Sequence, residues 1–175
     1  MWFYCLNYER THMLTFERRN KNDLSFPEDE IKLAQKMMDK LRSTLEFLYY
    51  LMDRKEELSF TMILFSSDDL KLENLIDKWK RQTDILFEID KENNIYILLC
   101  QSTDMDGGEQ FAEILMSNVR LHGGRSSYCV QTEVKTTSYT IQEIIFTMVE
   151  KYIDIRLEKE FNKVFFTRLG EIEYL

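Results

Sequence analysis

The sequence predicts an α+β fold in which helices cover a mostly antiparallel sheet. From residue 58 onward, apolar runs and amphipathic stretches follow one another in the order β-α-β-β-α-β-α-β. Two of the runs, "TDILFEI" and "NIYILLC", flank a short polar tip and predict an antiparallel hairpin. A long helical pattern over residues 28–57 precedes them. Because the hairpin interrupts the alternation of strands and helices, the sheet cannot be wholly parallel.

Length and composition limit the classes of function. A chain of 175 residues with 44% apolar residues is one domain with a core, or one such domain plus an appendage. Its net charge of −8 argues against a nucleic-acid partner, since phosphate binding needs clustered cations. No apolar run has the length of a membrane span, and the first ten residues, "MWFYCLNYER", lack the basic leader of a signal peptide.

The thiols and imidazoles predict a cytoplasmic protein without a metal site. Three distant cysteines, Cys5, Cys100 and Cys129, form no C-x-x-C pair, so we expect reduced thiols rather than a disulfide framework. His12 and His122 cannot build a metal cluster by themselves. We therefore expect no cofactor and no resident metal.

The helix predicted over residues 28–57 carries an apolar seam. The seam residues are spaced alternately by three and four, which is a heptad pattern: Ile31, Ala34, Met38, Leu41, Leu45, Leu48 and Met52. One interpretation is a coiled coil that forms a homodimer or holds a partner protein. The other is a helix that lies on the sheet of its own domain, and further apolar positions allow the helix to do both.

The remaining elements divide the chain into three parts. Residues 1–27 are predicted to be an N-terminal strand pair or extension, which ends near Pro27, and residues 58–175 form the main domain after the long helix. Within this domain we expect helices at 68–82, 107–121 and 140–160, and strands at 58–65, 83–89, 94–100, 125–136 and 163–169. The acids and glycines of "DMDGG", residues 104–108, are interpreted as a cap for the following helix rather than a calcium loop.

Residues 58–166 resemble the GGDEF, or diguanylate cyclase, family of bacterial signalling proteins. The resemblance depends on "RQTDILFEIDKENNIYILLCQSTDMDGGEQFAEIL", where an R-x-x-D, a hairpin, "LLCQSTD" and "FAEIL" stand at the family's spacing. It implies a nucleotide-cyclase-like sheet flanked by helices and preceded by a long helix.

The signature itself departs from that family, which implies a protein that is not an enzyme. The hairpin tip is "DKENN", residues 90–94, or residues 91–95 if the hairpin register shifts by one. Both signature glycines are missing, and Lys91 and Glu92 stand where a phosphate would approach. The acid expected at the end of the first strand falls at Ser66, with Asp68 and Asp69 following it. The family's reaction needs carboxylates to hold two divalent cations. We therefore expect no cyclase activity.

One family element is retained, at Arg81 and Asp84. In the family, R-x-x-D is the inhibitory site for cyclic di-GMP, where the arginine binds a guanine edge or phosphate and the aspartate accepts guanine N–H groups. Arg120 or Arg125 is a candidate for a second cation. The resemblance implies a cyclic di-GMP receptor that signals through helix 28–57. The alternative is a dimerisation or docking module that binds no nucleotide.

Overall fold

The computed structural model describes residues 28–55 and 58–170, and from residue 33 onward these form a three-layer α+β domain. In chain order the elements are α1 (Glu28–Arg54), β1 (Phe60–Ser67), α2 (Ile76–Trp79), β2 (Ile85–Asp90), β3 (Ile95–Gln101), α3 (Met105–Leu121), β4 (Ser127–Val134), α4 (Ile141–Leu157) and β5 (Val164–Thr167). The strand pair predicted within residues 1–27 lies outside the described residues.

The five strands form one mixed sheet in the order β2-β3-β1-β4-β5. β1 is central and pairs antiparallel with both β3 and β4, β2 and β3 form the predicted antiparallel hairpin, and β4 and β5 are parallel. The predicted fold class and the mostly antiparallel sheet are thus confirmed.

Both faces of the sheet are covered, because every residue of β1 and every residue of β3 except Gln101 is buried. Side chains such as Phe60, Met62 and Leu64 point to one face and pack against α1 and α4. The alternate residues Ile63 and Phe65 point to the other face and pack against α3. Burial on both faces explains why these strands read as continuous apolar runs.

The apolar seam of α1 lies in the domain's own core. Chain contacts divide the protein into two compact units, Met1–Lys32 and Leu33–Leu175, and most of α1 belongs to the second. Within that unit Ala34, Leu41, Leu45 and Leu48 are buried in the cluster that α1 shares with the sheet and α4. The burial of the seam therefore agrees with the second interpretation, in which the helix packs on the sheet of its own domain.

The prediction of a helix over residues 68–82 is wrong, since only Ile76–Trp79 is helical in this segment. Hydrogen bonds from outside the segment compete with the helix: Leu72 N donates to Asn94 Oδ1, and Leu70 N donates to Ser67 Oγ. Asn74 also takes a left-handed conformation, with φ of 65°. The segment is instead mostly an irregular loop, and its apolar residues Leu72 and Ile76 are buried against the sheet.

Both long helices after the hairpin begin at side-chain caps. Asp104 accepts a hydrogen bond from Gly107 N at 2.8 Å and starts α3, as the capping interpretation of residues 104–108 predicted. Thr140 and Glu143 form a reciprocal capping box at the start of α4, a feature that the sequence prediction did not include.

Candidate functional site

The structure brings Arg81 and Asp84 together in a tight turn between α2 and β2. The backbone closes the turn, because Asp84 N donates to Arg81 O at 3.1 Å. The guanidinium of Arg81 contacts both carboxylate oxygens of Asp84, with Nη2 at 2.8 Å from Oδ1 and Nε at 3.1 Å from Oδ2. Arg81 N also donates to Oδ2 at 3.0 Å. The two predicted residues thus form a bidentate ion pair with each other.

The two partners differ sharply in exposure. The Asp84 side chain is fully buried, whereas about half of the Arg81 side chain, 51%, is exposed. Nη2 of Arg81 also donates to Thr103 Oγ1 at 2.6 Å, so one edge of the guanidinium is fixed by two residues. The carboxylate is therefore committed to the protein, and the outer edge of the guanidinium faces solvent.

The charges of this turn affect neighbouring groups. The hydrogen bond to Asp84 raises the pKa of Arg81 above its ordinary value. Burial, together with the nearby Asp84 carboxylate, raises the pKa of the Cys100 thiol to about 12. Cys129 is fully buried, and burial likewise raises the pKa of its thiol. Both cysteines are free thiols, and at neutral pH they stay protonated.

The candidates for a second cation, Arg120 and Arg125, lie at the other end of the sheet. Arg81 contacts Thr103, whose carbonyl accepts from Thr61 at the start of β1. Arg125 N instead binds Asp69, which follows the end of β1. Arg120 is near that same end, in the last turn of α3. Since β1 has eight residues, about 20 Å separates the two ends. The idea of a second cation beside Arg81 is therefore wrong for these two residues.

The resemblance located the catalytic position at the tip of the β2–β3 hairpin, and a cavity of about 390 Å³ is open there. The hairpin tip forms one wall, and the loop after β1 forms the other. Four carboxylates in the lining outnumber three cationic side chains: Asp68, Asp69, Glu73 and Glu92 against Lys71, Lys91 and Arg156. An excess of negative charge is unfavourable for a triphosphate without bound cations.

Two ion pairs occupy most of the charged groups in this cavity. Lys91 Nζ lies 2.9 Å from Glu73 Oε1, across the mouth between hairpin and loop. Arg156, which reaches in from α4, contacts Asp68 Oδ1 at 2.7 Å and lies over the Tyr128 ring at 4.6 Å. Internal pairing leaves few charges for a ligand.

The position at the end of β1, where the resemblance implies a metal-binding acid, is not available to a ligand. Ser66, where the resemblance implies an acid, is fully buried and accepts a hydrogen bond from Tyr152 Oη at 2.7 Å. Asp69 accepts backbone N–H groups from Arg125 at 2.8 Å and Ser126 at 3.3 Å, and these bonds hold its pKa below its ordinary value although burial opposes the shift. Within the described ranges, no cluster of three or more acidic, histidine or cysteine side chains could hold a metal ion.

Asn94 joins the hairpin tip to the loop after β1. Its Nδ2 donates to Ser67 O and Leu70 O, both at 2.7 Å, and its Oδ1 accepts from Leu72 N at 2.9 Å. Asn94 takes a left-handed conformation with φ of 56°, which asparagine tolerates better than most residues. The tip therefore forms the tight turn without glycine.

Asp90 fixes the other side of the tip. Its carboxylate accepts hydrogen bonds from Asn93 N at 3.1 Å and from Lys36 Nζ on α1 at 2.5 Å. Burial acts to raise the pKa of Asp90, but the hydrogen bonds from Lys36 and Asn93 outweigh it and lower the pKa to about 2. The tip is thus anchored to α1 as well as to the loop after β1.

Sequence reasoning missed three residues that shape these sites: Thr103, Arg156 and Asn94. Arg156 is 88 positions from its partner Asp68, so no local spacing indicates the contact. Asn94 was within the quoted tip, and asparagine in a polar turn is a signal for a left-handed residue. Thr103 was in the matched "STD" segment, but nothing in the sequence connected it to Arg81.

The described residues contain no helix with both the length and the apolar character needed to cross a bilayer. No protein-family model matches the chain, and no curated protein matches it significantly. Among solved structures, the chain is similar to the diguanylate cyclase SiaD from Pseudomonas aeruginosa, solved in complex with its activator SiaC. The sequence identity is 14% and the TM-score is 0.52, over 93% of this chain and 80% of that chain. The chain thus has a GGDEF-like fold.

Proposed function

We propose that this chain is a non-catalytic signalling domain that acts by binding a protein and neither makes nor binds a guanine nucleotide. The observation that carries the proposal is that intramolecular ion pairs use most of the charged groups at both nucleotide positions. Asp84 is buried under Arg81, and at the hairpin tip Lys91 is paired with Glu73 and Arg156 with Asp68. These pairs use charged groups that a nucleotide would otherwise find free.

The same cavity supports the proposal that the chain has no cyclase activity. Ser66 cannot supply the carboxylate that the reaction needs at the end of β1, and its hydroxyl is bound to Tyr152. The remaining acids, Asp68 and Asp69, are held by Arg156 and by backbone N–H groups. We expect no cyclic di-GMP to form when the purified protein is incubated with GTP and Mg²⁺ or Mn²⁺. An active diguanylate cyclase in the same assay is the positive control.

A protein partner is consistent with what α1 leaves exposed. Its apolar seam is buried, so a partner on this helix would contact the opposite face, where Phe47 is 59% exposed and Tyr50 is also exposed. Arg54 lies over the Tyr50 ring at 4.5 Å. The SiaD structure contains an activator protein bound to a cyclase of similar fold, which supports a protein-binding role for this kind of domain.

A cyclic di-GMP receptor is the second candidate, and the outer edge of Arg81 favours it. Asp84 and Thr103 hold that guanidinium in one orientation, and about half of the side chain is exposed. A preoriented guanidinium is suited to a phosphate or a guanine edge. Against it, the Asp84 carboxylate already accepts from Arg81, and neither Arg120 nor Arg125 lies nearby to balance a second phosphate.

Thermal unfolding with cyclic di-GMP separates the two candidates. A ligand that binds only the folded state must raise the melting temperature by mass action. The docking proposal expects no shift at a large excess of cyclic di-GMP. A concentration-dependent rise that disappears in Arg81→Ala would establish the receptor, and a rise that persists in the variant would indicate a different nucleotide site.

A further inference from the structure

The outward face of α3 carries two large apolar side chains in water. Leu121 is 82% exposed and Ile114 is 54% exposed. They are seven positions apart, so they lie on the same face of the helix, two turns from one another. Burial of large apolar side chains is favourable, so a partner that covered this face would bind it more stably than water does.

Two unpaired charges flank the apolar pair. Glu113 and Arg120 are also seven positions apart, and each directly precedes one of the apolar residues. Among the described residues Glu113 makes no ion pair, and Arg120 donates only to Ser117 Oγ at 3.3 Å. A separation of seven residues places their backbones about 10 Å apart along the axis. Their spacing is too long for an ion pair within the helix, unlike Arg42 and Glu46 on α1.

A two-fold axis near Ser117 that relates two copies of α3 would bring together both the apolar pair and the charged pair. Two copies of α3 that cross antiparallel at this residue place Ile114 of each copy against Leu121 of the other. The same operation places Glu113 of each copy against Arg120 of the other, because both pairs are centred within a residue of position 117. The serine at the centre is small, which lets the helices approach closely. In a two-fold interface every contact occurs twice.

We propose that α3 is a self-association surface, on which the domain forms an antiparallel, two-fold homodimer. The occupant is a second copy of this chain, because the charge pattern of α3 is complementary to itself under that rotation. A single pair of short helices buries less than a standard interface, so the dimer is weak and forms with rising concentration. The surface is on the opposite face of the sheet from α1.

Charge-swap variants test the pairing by sedimentation velocity at protein concentrations from about 1 to about 300 μM, which spans weak complexes. Glu113→Arg places like charges opposite each other twice, and we expect it to weaken the dimer by at least about tenfold. The double variant Glu113→Arg with Arg120→Glu restores opposite charges, and we expect it to recover the wild-type constant within about threefold. Recovery would be specific to the antiparallel arrangement.

Leu121→Asp should abolish the dimer, and its folding is checked by circular dichroism because the side chain is exposed. Leu157→Asp is the matched control, since Leu157 is 76% exposed on α4, outside the proposed surface. A wild-type protein that stays monomeric throughout the range would overturn the proposal. So would a double swap that does not recover, or a dimer that Phe47→Asp on α1 disrupts while Leu121→Asp does not.

This dimer does not depend on nucleotide. If the chain is monomeric and still gives no heat with cyclic di-GMP, the self-association is wrong and the proposed function stands. If cyclic di-GMP binds while the charge-swap variants behave as expected, the proposed function is wrong and the self-association stands.

Discussion

Substitution of Arg81 tests whether the R-x-x-D motif contributes to the stability of the protein's own fold. In Arg81→Ala the buried Asp84 carboxylate would lose all of its contacts with the guanidinium. Of its hydrogen bonds within the described part of the chain, it would keep the one from the N–H of residue 81. Removing one partner of a fully buried ion pair costs about 3–5 kcal/mol. Because half of the Arg81 side chain is in water, solvent screening reduces that cost, and we expect a loss of about 2–3 kcal/mol.

Urea unfolding, followed by tryptophan fluorescence, measures this loss. With a slope of about 2 kcal/mol/M, the midpoint should fall by about 1 M. Asp84→Ala should cost a similar amount, and the double variant should cost less than the sum by about 1–2 kcal/mol, because the two residues act as one unit. Lys91→Ala is the matched control, since its pair with Glu73 is solvent-exposed and should leave the midpoint unchanged.

The reasoning would be refuted if Arg81→Ala unfolded at the wild-type urea concentration. That result would mean that the folded protein does not depend on the buried pair. If the same variant also lost binding of cyclic di-GMP, the arginine would be a ligand-binding residue and the second candidate function would replace the first.

Three further predictions concern the hairpin tip and the end of β1. The pKa of Asp90 is lowered in the folded state, so its contribution to stability is complete above pH of about 4 and is lost as pH falls toward about 2. Lys36→Met should flatten this part of the stability–pH curve. An unchanged curve would contradict the assignment. Tyr152→Phe leaves the buried Ser66 hydroxyl without its donor and should cost about 1–2 kcal/mol in urea unfolding, part of which Ser66→Ala should recover in the double variant. Asn94→Ala removes three hydrogen bonds and should cost about 2–3 kcal/mol, whereas a cost near zero would show that the loop after β1 holds the tip without it.

The sequence predicted the sheet well because its signals are local. The strands of the hairpin carry apolar runs bounded by polar turns, and the structure places them at Ile85–Asp90 and Ile95–Gln101. The same spacing rule misassigned residues 68–82, where a periodic set of apolar residues lies in a loop. Contacts with Asn94, 22 positions from Leu72, decided that conformation, and helical spacing carries no information about them.

The candidate site shows the same division between local and distant contacts. Arg81 and Asp84 are three positions apart in one turn, so their proximity followed from spacing alone. Whether Arg125 lies near them depends on the order of strands in the sheet, which a single sequence does not give. The burial of Asp84, which decides between a ligand site and a structural pair, becomes visible only when β2 and β3 are assembled.

Isothermal titration of cyclic di-GMP into the folded protein, with Arg81→Ala as its companion, tests the central claim most directly. Our account predicts no saturable heat for either protein, at concentrations where wild-type folding is confirmed by circular dichroism. Saturable binding to the wild type that is lost in Arg81→Ala would contradict the account, and would establish the chain as a cyclic di-GMP receptor.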